Sequence, residues 1–282
     1  MQLTNKATKY LPLYLHKSFK HISNLMPYIS LILLVVDGRV PQLKELYIKE
    51  IKRKWANKEI LVIFSKQDLL PYPKPEHSFD LRKPSSKRAI LRLINSKLKS
   101  LTLSTKESTN SLIIMGGANS GKSSLINLLI GRKKVKKSPE AGTTRGITRH
   151  KIPATPLLIY DSPGLFPTNL NKELRILFRL LNFLPATEGG QEVIGEWAYN
   201  YLIGSHPDKL QKLLPNSLEN LSYHSFLKAL AQRYRLLEKR GELSLELAEQ
   251  KFLQLIRNGT IGNLYWLMPP PLGNEFQRET SK

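Results

Sequence analysis

A glycine-rich segment near the middle of the chain has the residue types and spacing of a phosphate-binding loop. Residues 116–123 read Gly-Gly-Ala-Asn-Ser-Gly-Lys-Ser, which fits the pattern G-x-x-x-x-G-K-[ST]. In such a loop, backbone N–H groups and the N-terminus of the following helix face phosphate oxygens. Lys122 is expected to bridge the β- and γ-phosphates and to serve catalysis, and the Ser123 hydroxyl to bind Mg²⁺. The remaining expected nucleotide contacts in this segment are Asn119, Ser120, Gly121 and Ser124.

A second motif, D-x-x-G, starts at Asp161, directly after an apolar stretch. Asp161 is expected to hold Mg²⁺ through water, and the N–H group of Gly164 to contact the γ-phosphate. Since a strand that ends in Asp-Ser-Pro-Gly is also an ordinary turn, the interpretation depends on its place after the phosphate loop. Between the two motifs, the hydroxyl of Thr143 or Thr144 would complete the Mg²⁺ shell, and Thr144 is preferred.

Residues 65–68, Ser-Lys-Gln-Asp, resemble the guanine-recognition pattern [NT]-K-x-D. A carboxylate at Asp68 would accept hydrogen bonds from guanine N1–H and the 2-amino group, a donor pattern that adenine lacks. Lys66 would pack its stem over the base. Ser65 departs from the pattern, because Asn or Thr stands there in most such motifs.

Two segments compete for the loop that backs the base. Ser104-Thr105-Lys106 resembles the pattern S-A-K, but a helix should lie between that loop and the strand before the phosphate loop. Asp80-Leu81-Arg82 does have a predicted helix after it. Asp80 and Leu81 are therefore preferred.

The elements that must position these motifs are buried strands. Continuous apolar runs typical of strands covered on both faces occur at 31–36, 60–64, 112–115 and 157–160. Helical spacing occurs at 42–55 and 89–101, and a further helix should run from the phosphate loop to near residue 131. A short strand is expected at 78–81, and a linker at 103–110. This alternation predicts an α/β fold with a mainly parallel sheet.

The order of the motifs is unusual. The guanine-recognition pattern precedes the phosphate loop here, whereas in Ras-like GTPases it comes last. The sheet can still close, because permutation at exposed loops is tolerated when the chain ends lie close together. The sequence therefore predicts a circularly permuted P-loop GTPase domain.

Strand patterns nearly vanish after about residue 168. Helical apolar spacing continues at 172–184, 191–202, 223–240 and 245–257, and only 261–267 could add a short strand. We predict a GTPase domain over 1–168, with a basic segment at about 1–28, and a smaller, mostly α-helical domain over 169–282 that binds RNA or the ribosome.

The charge balance indicates a polyanionic partner. The 282 residues include 44 Lys+Arg against 22 Asp+Glu, a formal net charge of +22. Basic residues cluster at 1–36, 82–106 and 132–151, which favours an extended nucleic-acid footprint over an evenly basic surface. The absence of Cys excludes disulfides, Cys–zinc sites and thiol nucleophiles. No apolar run reaches the roughly 18 residues of a membrane span, which leaves only peripheral membrane contact open.

Taken together, these motifs resemble the RbgA (YlqF) family of circularly permuted GTPases, which includes mitochondrial ribosome-associated GTPases. Residues 37–41, Asp-Gly-Arg-Val-Pro, look like the family's D-A-R-I-P segment, and residues 238–262 look like part of its C-terminal helical domain. The resemblance implies GTP hydrolysis during late maturation of the large ribosomal subunit. It also implies binding to the rRNA and proteins of that subunit.

The same resemblance implies which residues position the attacking water and which bind a cation near the phosphates. Leu165 stands where other GTPases carry a water-positioning Gln, and family members instead use a His near the N-terminus. His16 is the candidate for that catalytic His, and His21 is the alternative. Asn119 stands at the family's phosphate-loop Asn, which can bind K⁺; it could equally shape the loop only.

The sequence thus predicts a monomeric GTPase that binds GTP or GDP with Mg²⁺ and is stimulated by K⁺. The acid-free N-terminus favours the mitochondrial matrix, with or without inner-membrane association, over a plastid or the bacterial cytoplasm. The main alternative is a non-hydrolysing RNA-binding scaffold that retains the nucleotide-binding fold, for which Ser65 and Leu165 are the best arguments. An ATPase is a weaker alternative.

Overall fold

A mostly parallel sheet forms the framework of the computed structural model, which describes residues 20–105, 110–131, 147–164, 170–184, 191–214, 222–239 and 241–266. Within these ranges the strands are β1 (Leu31–Asp37), β2 (Ile60–Ser65), β3 (Ser111–Gly116), β4 (Thr148–Lys151) and β5 (Leu158–Asp161). They lie in the order β2-β1-β3-β5-β4, and every neighbouring pair is parallel except β4 with β5. The predicted α/β class is confirmed.

Strand β1, which lies between β2 and β3, is buried along its whole length, as its continuous apolar sequence predicts. Successive side chains of a strand point to opposite faces of the sheet. Accordingly, Ile32, Leu34 and Val36 belong to one apolar cluster. Leu31, Leu33 and Val35 belong to the other. The sheet therefore has an apolar core on each face.

Helices connect and follow the strands. Those between strands are α1 (Leu43–Lys54), α2 (Ser85–Thr105) and α3 (Lys122–Ile130). Those after β5 are α4 (Lys172–Leu180), α5 (Gln191–Ser205), α6 (Pro207–Leu213), α7 (Tyr223–Tyr234) and α8 (Leu245–Arg257). Across the described ranges, none of the helices has the length and apolarity needed to cross a bilayer.

Three of the described C-terminal helices, α4, α7 and α8, begin at polar caps. Asn171 accepts a hydrogen bond from the N–H of Leu174 at 2.8 Å, and Ser222 and Ser244 cap α7 and α8 in the same way. Apolar side chains of these helices share one cluster with the β1 residues of one sheet face. The division of the chain at residue 168 stays a prediction.

Two parts of the N-terminal half differ from the sequence-based expectation. The expected strand at 78–81 is only a bridge between Phe64 and Ser78, because the chain turns at Asp80, whose carboxylate accepts from the N–H of Arg82. The expected linker at 103–110 is partly helical, since α2 continues to Thr105.

The C-terminal half also differs from the sequence-based expectation. Helix α7 ends at Tyr234 because Arg235 adopts a left-handed conformation with φ of 52°, so the predicted helix to residue 240 is too long. Helix α6 was not expected at all. The possible strand at 261–267 is absent from the described part of that range, 261–266.

Candidate nucleotide site

The phosphate loop leaves the end of β3 and passes into α3 at Lys122. Gly116 and Gly121 have φ angles of 146° and 106°, which side-chain-bearing residues rarely adopt. A Cβ atom on Gly116 would overlap the carbonyl oxygen of Val35 on β1, so glycine is needed where the two backbones meet. The result is a tight loop at a helix N-terminus, an arrangement that binds anions.

Two buried charges, Lys122 and Asp161, lie at this loop. Lys122 Nζ donates to the carbonyl oxygens of Gly116 at 3.2 Å and Gly117 at 2.8 Å. Burial lowers the pKa of Lys122 to about 8, against the opposing effect of Asp161. Burial likewise raises the pKa of Asp161 to about 6, against the effect of Lys122.

The carboxylate of Asp161 has unused binding capacity. Its Oδ1 atom is buried and has no hydrogen-bond partner in the part of the chain that the structure describes. An ionised oxygen in such a place is costly unless a cation or a donor compensates it. The geometry therefore fits the expected role of Asp161, which is to hold Mg²⁺ through water.

The D-x-x-G segment lies against the phosphate loop. The Ser162 hydroxyl donates to the carbonyl of Ile114 on β3 at 2.7 Å. A Cβ atom on Gly164 would lie only 3.1 Å from the backbone nitrogen of Ala118. The two segments expected to contact phosphates are thus brought together.

The guanine-recognition motif reaches the same loop through Ser65. Its hydroxyl donates to the carbonyl of Ser120 at 2.5 Å and to that of Val36 at 3.3 Å. A Cβ atom on Gly121 would lie 3.2 Å from Ser65 Cβ. Residues that are distant along the chain are therefore in contact at the carboxyl ends of β2 and β3.

Lys66 and Asp68 are each held by an ion pair. Lys66 adopts a left-handed conformation, with φ of 58°, and its Nζ lies 2.6 Å from Oδ2 of Asp37. Burial lowers the pKa of Lys66, and so does the nearby Arg39. Asp68 pairs with the exposed guanidinium of Arg82 at 2.8 Å. Both expected base-contacting side chains are thus fixed from outside their own motif.

The segment preferred for the base-backing loop lies beside this motif. Asp80 binds Arg82 through its carboxylate, and that same Arg82 reaches Asp68. Leu81 packs close to the phosphate loop, since a Cβ atom on Gly121 would lie 3.2 Å from Leu81 Cδ1. The competing segment at 104–106 contains the last two residues of α2, and Lys106 lies outside the described residues.

Asn119 lies at the tip of the phosphate loop in a left-handed conformation, with φ of 54°. Its Nδ2 donates to the backbone carbonyl of Asn182, just after α4, at 2.6 Å. The hydrogen bond assigns Asn119 a structural part, and its binding of K⁺ stays a prediction.

The serines of the loop occupy distinct positions. The Ser120 hydroxyl is buried without a partner among the described residues. Ser123 and Ser124 are half-buried in the first turn of α3, where a hydroxyl can face a ligand at the helix N-terminus. Their nucleotide contacts stay predictions.

Several expected site residues lie outside the described ranges, namely His16, Thr143, Thr144 and Leu165. The alternative histidine, His21, is exposed and lines a cavity of about 330 Å³. The cavity is also lined by Arg149 on the edge strand β4, by Ile147 just before it and by Tyr160 on the neighbouring strand β5. Neither histidine is thereby assigned to catalysis.

Sequence reasoning missed the support beneath the site. Asp37 and Arg39 were noticed only as part of a family segment, yet they form a buried ion pair at 2.8 Å that also holds Lys66. Tyr47 belongs to the stretch 42–55, which was noted only for its helical spacing, yet its hydroxyl occupies the space where a Cβ atom on Gly117 would lie. The sequence did contain a signal for the ion pair, because Asp37 and Arg39 directly follow the buried apolar run at 31–36.

Comparisons with known proteins agree with this geometry. Residues 111–184, from β3 through both expected phosphate-contacting motifs, match the family described as 50S ribosome-binding GTPase. The probable ribosome biogenesis GTPase A of Mycoplasma genitalium is 30% identical over 274 residues, which cover 93% of this chain and 97% of that relative. The corresponding protein of Mycoplasma pneumoniae is 27% identical over 266 residues, 90% of this chain and 93% of the relative.

A solved structure shares the fold. The crystal structure of GNP-bound YlqF from T. maritima matches with a TM-score of 0.54 at 19% identity. The match covers 88% of this chain and 97% of that chain. The likeness therefore extends beyond the nucleotide-binding sheet to the helices that follow it.

Proposed function

Because this chain belongs to the ribosome biogenesis GTPase A family, we propose that it hydrolyses GTP while bound to a maturing large ribosomal subunit. The family and the matched GTPase domain make the chain a GTPase that acts in ribosome assembly. The observation that carries the proposal is that Ser65, Gly121 and Gly164 bring their three motifs together at the carboxyl ends of β2, β3 and β5. Ligands of open α/β sheets bind at that edge.

We propose that the domain is circularly permuted. Asp68 and Lys122 stand in the reverse of the order found in Ras-like GTPases, although Ser65 brings their loops into contact. Parallel pairing of β1 with both β2 and β3 supports this, because it joins the two motif-bearing strands through one central strand.

Lys122 and the loop backbone would bind the phosphates. The ammonium now donates to loop carbonyls; a bound nucleotide would supply phosphate oxygens and restore its pKa toward the ordinary range. Ser123 and Asp161 would hold Mg²⁺, which neutralises phosphate charge when bound. The protein would contribute by holding the phosphates and the metal ligands in the geometry that the reaction needs.

Asp68 and Lys66 would select guanine, and Asp80 and Leu81 would belong to the loop that backs the base. The Asp68 carboxylate, which pairs with Arg82 at 2.8 Å, carries the acceptor oxygens that guanine requires. We extend the proposal to K⁺ bound by Asn119, and to hydrolysis completed by His16 and Thr144 when the ribosomal particle is bound. The support is the family pattern in the sequence.

Binding of rRNA would use the basic stretches. Arg88, Arg92 and Lys99 are exposed on α2, inside the acid-free stretch from 82 to 106. Each phosphate contact of this kind releases counterions, so binding should weaken steeply with salt. We further propose that the protein acts as a monomer. We also propose that it lies in the mitochondrial matrix, a location that the acid-free basic N-terminal segment supports.

The test is GTP turnover by the full chain, alone and with purified large or small ribosomal subunits, in K⁺ and in Na⁺. We expect slow turnover alone and at least about a ten-fold increase with large subunits in K⁺. Small subunits serve as the matched control for non-specific RNA. Equal stimulation by both subunits would contradict large-subunit specificity, and equal rates in both salts would contradict the K⁺ role. No turnover under any condition would favour the scaffold alternative.

A further inference from the structure

One buried carboxylate, that of Asp37, holds two cations at the end of β1. Its Oδ1 accepts from Arg39 Nε at 3.0 Å, and its Oδ2 from Arg39 Nη2 at 2.8 Å. The same Oδ2 lies 2.6 Å from Lys66 Nζ. The side chains of Asp37 and Arg39 are 0% and 3% exposed, whereas that of Lys66 is 27% exposed. Lys66 is therefore the end of the cluster that faces outward.

Arg39 also binds the last turn of the last described helix. Its Nη1 donates to the carbonyl of Arg257 at 3.1 Å and makes a longer contact, 3.5 Å, with that of Ile256. These carbonyls stand in the last turn of α8, where the N–H of Gly259 also donates to that of Ile256 at 3.1 Å, and a cation at a helix C-terminus is favourable. The Arg39 carbonyl in turn accepts from the N–H of Trp266 at 2.8 Å. A single side chain thus joins Asp37 to α8.

A second contact path leads from α8 back to the phosphate loop. The guanidinium of Arg257 donates to the carbonyls of Leu180 at 2.8 Å and Arg179 at 3.1 Å, at the end of α4. Two residues later, the carbonyl of Asn182 accepts from Asn119. The end of α8 is therefore linked to Lys66 through Arg39 and Asp37, and the chain just after α4 is hydrogen-bonded to the phosphate loop through Asn119.

Packing alone does not account for this cluster. Removing three charges from water is expensive, and apolar residues of similar volume would fill the space at no such cost. What the ion pairs provide is geometric: the planar guanidinium fixes the carboxylate by two parallel bonds, and the carboxylate fixes the lysine head.

We propose that Arg39 is a positioning residue that, through Asp37, holds Lys66 for the guanine base and ties it to the C-terminal end of α8. Base binding and anchoring of α8 are then coupled. By linkage, the base stabilises the α8 contact as much as that contact strengthens base binding. This inference rests on the proposed guanine site and adds a coupling to it.

The test measures two properties of the full chain: the Kd for GDP, and amide hydrogen exchange at residues 254–257 with and without saturating GDP. In the unchanged protein, GDP should slow exchange at the end of α8. Arg39→Met should raise the Kd about ten-fold and abolish that slowing. The reason is that Asp37, the partner of Lys66, is then no longer held in place by the guanidinium. Arg39→Lys keeps one bond to Asp37 and should recover most of the affinity but not the slowing.

Two variants guard against loss of folding and against a general charge effect. Lys66→Met leaves the Asp37–Arg39 pair intact and should abolish the GDP-dependent slowing even when GDP is saturating. Arg53→Met removes an exposed arginine that pairs with Glu50 and should change neither property.

Slowing that persists in Lys66→Met, or an Arg39→Met protein that is less stable but binds GDP with unchanged Kd, would overturn the inference and leave the GTPase proposal intact. An unchanged protein that does not bind GDP would overturn both.

Discussion

The hydroxyl of Ser65 donates a hydrogen bond to the backbone carbonyl of Ser120 across 2.5 Å, although 55 residues separate them. One belongs to the expected guanine-recognition motif and the other to the phosphate loop. This contact fixes the separation between the parts of the site that would bind the base and the phosphates. Although Ser65 departs from the more common Asn or Thr, its side chain therefore links the two motifs in this chain.

Replacing Ser65 with Ala should weaken GDP binding. The change leaves the Ser120 carbonyl without its hydroxyl donor, and one such hydrogen bond contributes about 1 kcal/mol, equivalent to about five-fold in Kd. Titration of a fluorescent GDP analogue would measure it.

Ser225→Ala is the matched control for the Ser65 variant, because its hydroxyl lies beside Ser222 on the exposed start of α7. Its Kd should stay unchanged. If Ser65→Ala also binds GDP normally, the contact with Ser120 does not organise the site.

Asp68→Asn should change the base that is selected. The amide can accept from N1–H but meets the 2-amino group of guanine with a donor, so the Kd for GDP should rise about 100-fold. Xanthine carries an oxygen at that position, and XDP should therefore bind the variant better than GDP does. Competition between the two nucleotides would measure the preference.

The control for this change is Asp208→Asn, a largely exposed carboxylate beside Lys209. It should keep the preference for GDP. An Asp68→Asn protein that still prefers GDP to XDP would contradict the placement of the base.

The pH dependence of stability should report the Asp37 cluster. Burial alone would raise the pKa of Asp37, but Arg39 and Lys66 outweigh it and hold that pKa far below its usual range. The unfolded chain therefore takes up a proton near pH 4 while the folded chain does not. The contribution of Asp37 to the free energy of unfolding is complete above that pH and declines as pH falls further.

Asp37→Asn should reduce this decline. Between pH 4 and pH 2, the slope of the free energy of unfolding against pH should fall by up to about 1.4 kcal/mol per pH unit, measured by urea titration. Glu45→Gln, which removes an exposed carboxylate paired with Lys44, should keep the original slope. Equal slopes for the Asp37 variant and the unchanged protein would show that its carboxylate is not held ionised by the two cations.

The parts of the site that could be predicted are those marked by residues close together in the sequence. The phosphate loop and the D-x-x-G turn lie next to continuous apolar strands, and glycine spacing reflects backbone geometry directly. Those motifs were placed correctly on β3 and β5. Strand β4 was missed because Thr-Arg-His-Lys is an edge strand with only His150 buried, so no apolar pattern marks it.

The contacts that join distant segments could not be predicted. Arg39 and Arg257 are 218 residues apart, and their hydrogen bond depends on where a helix ends in space. Likewise, nothing in the sequence near Asn119 indicates that its amide meets the carbonyl of Asn182. Such partners are set by packing of whole elements and carry no local pattern.

Gly164→Ala should separate GTP hydrolysis from GDP binding. A Cβ atom there would lie 3.1 Å from the nitrogen and 3.3 Å from the Cα of Ala118, so one of the two segments must shift by a few tenths of an ångström. Because the N–H of Gly164 is expected to contact the γ-phosphate, which GDP lacks, turnover should fall about ten-fold while the Kd for GDP changes by less than about three-fold.

Gly204→Ala is the matched control for Gly164→Ala, since a Cβ atom at Gly204 on α5 meets nothing within 4 Å. The change should leave turnover unaltered and stabilise the protein by about 0.5–1 kcal/mol, the usual gain for Ala over Gly in a helix. Single-turnover hydrolysis and GDP titration on both variants would measure the two effects together. Equal loss of hydrolysis and of GDP binding in Gly164→Ala would mean that the substitution disrupts the whole phosphate loop, and that Gly164 has no separate part in the GTP-bound state.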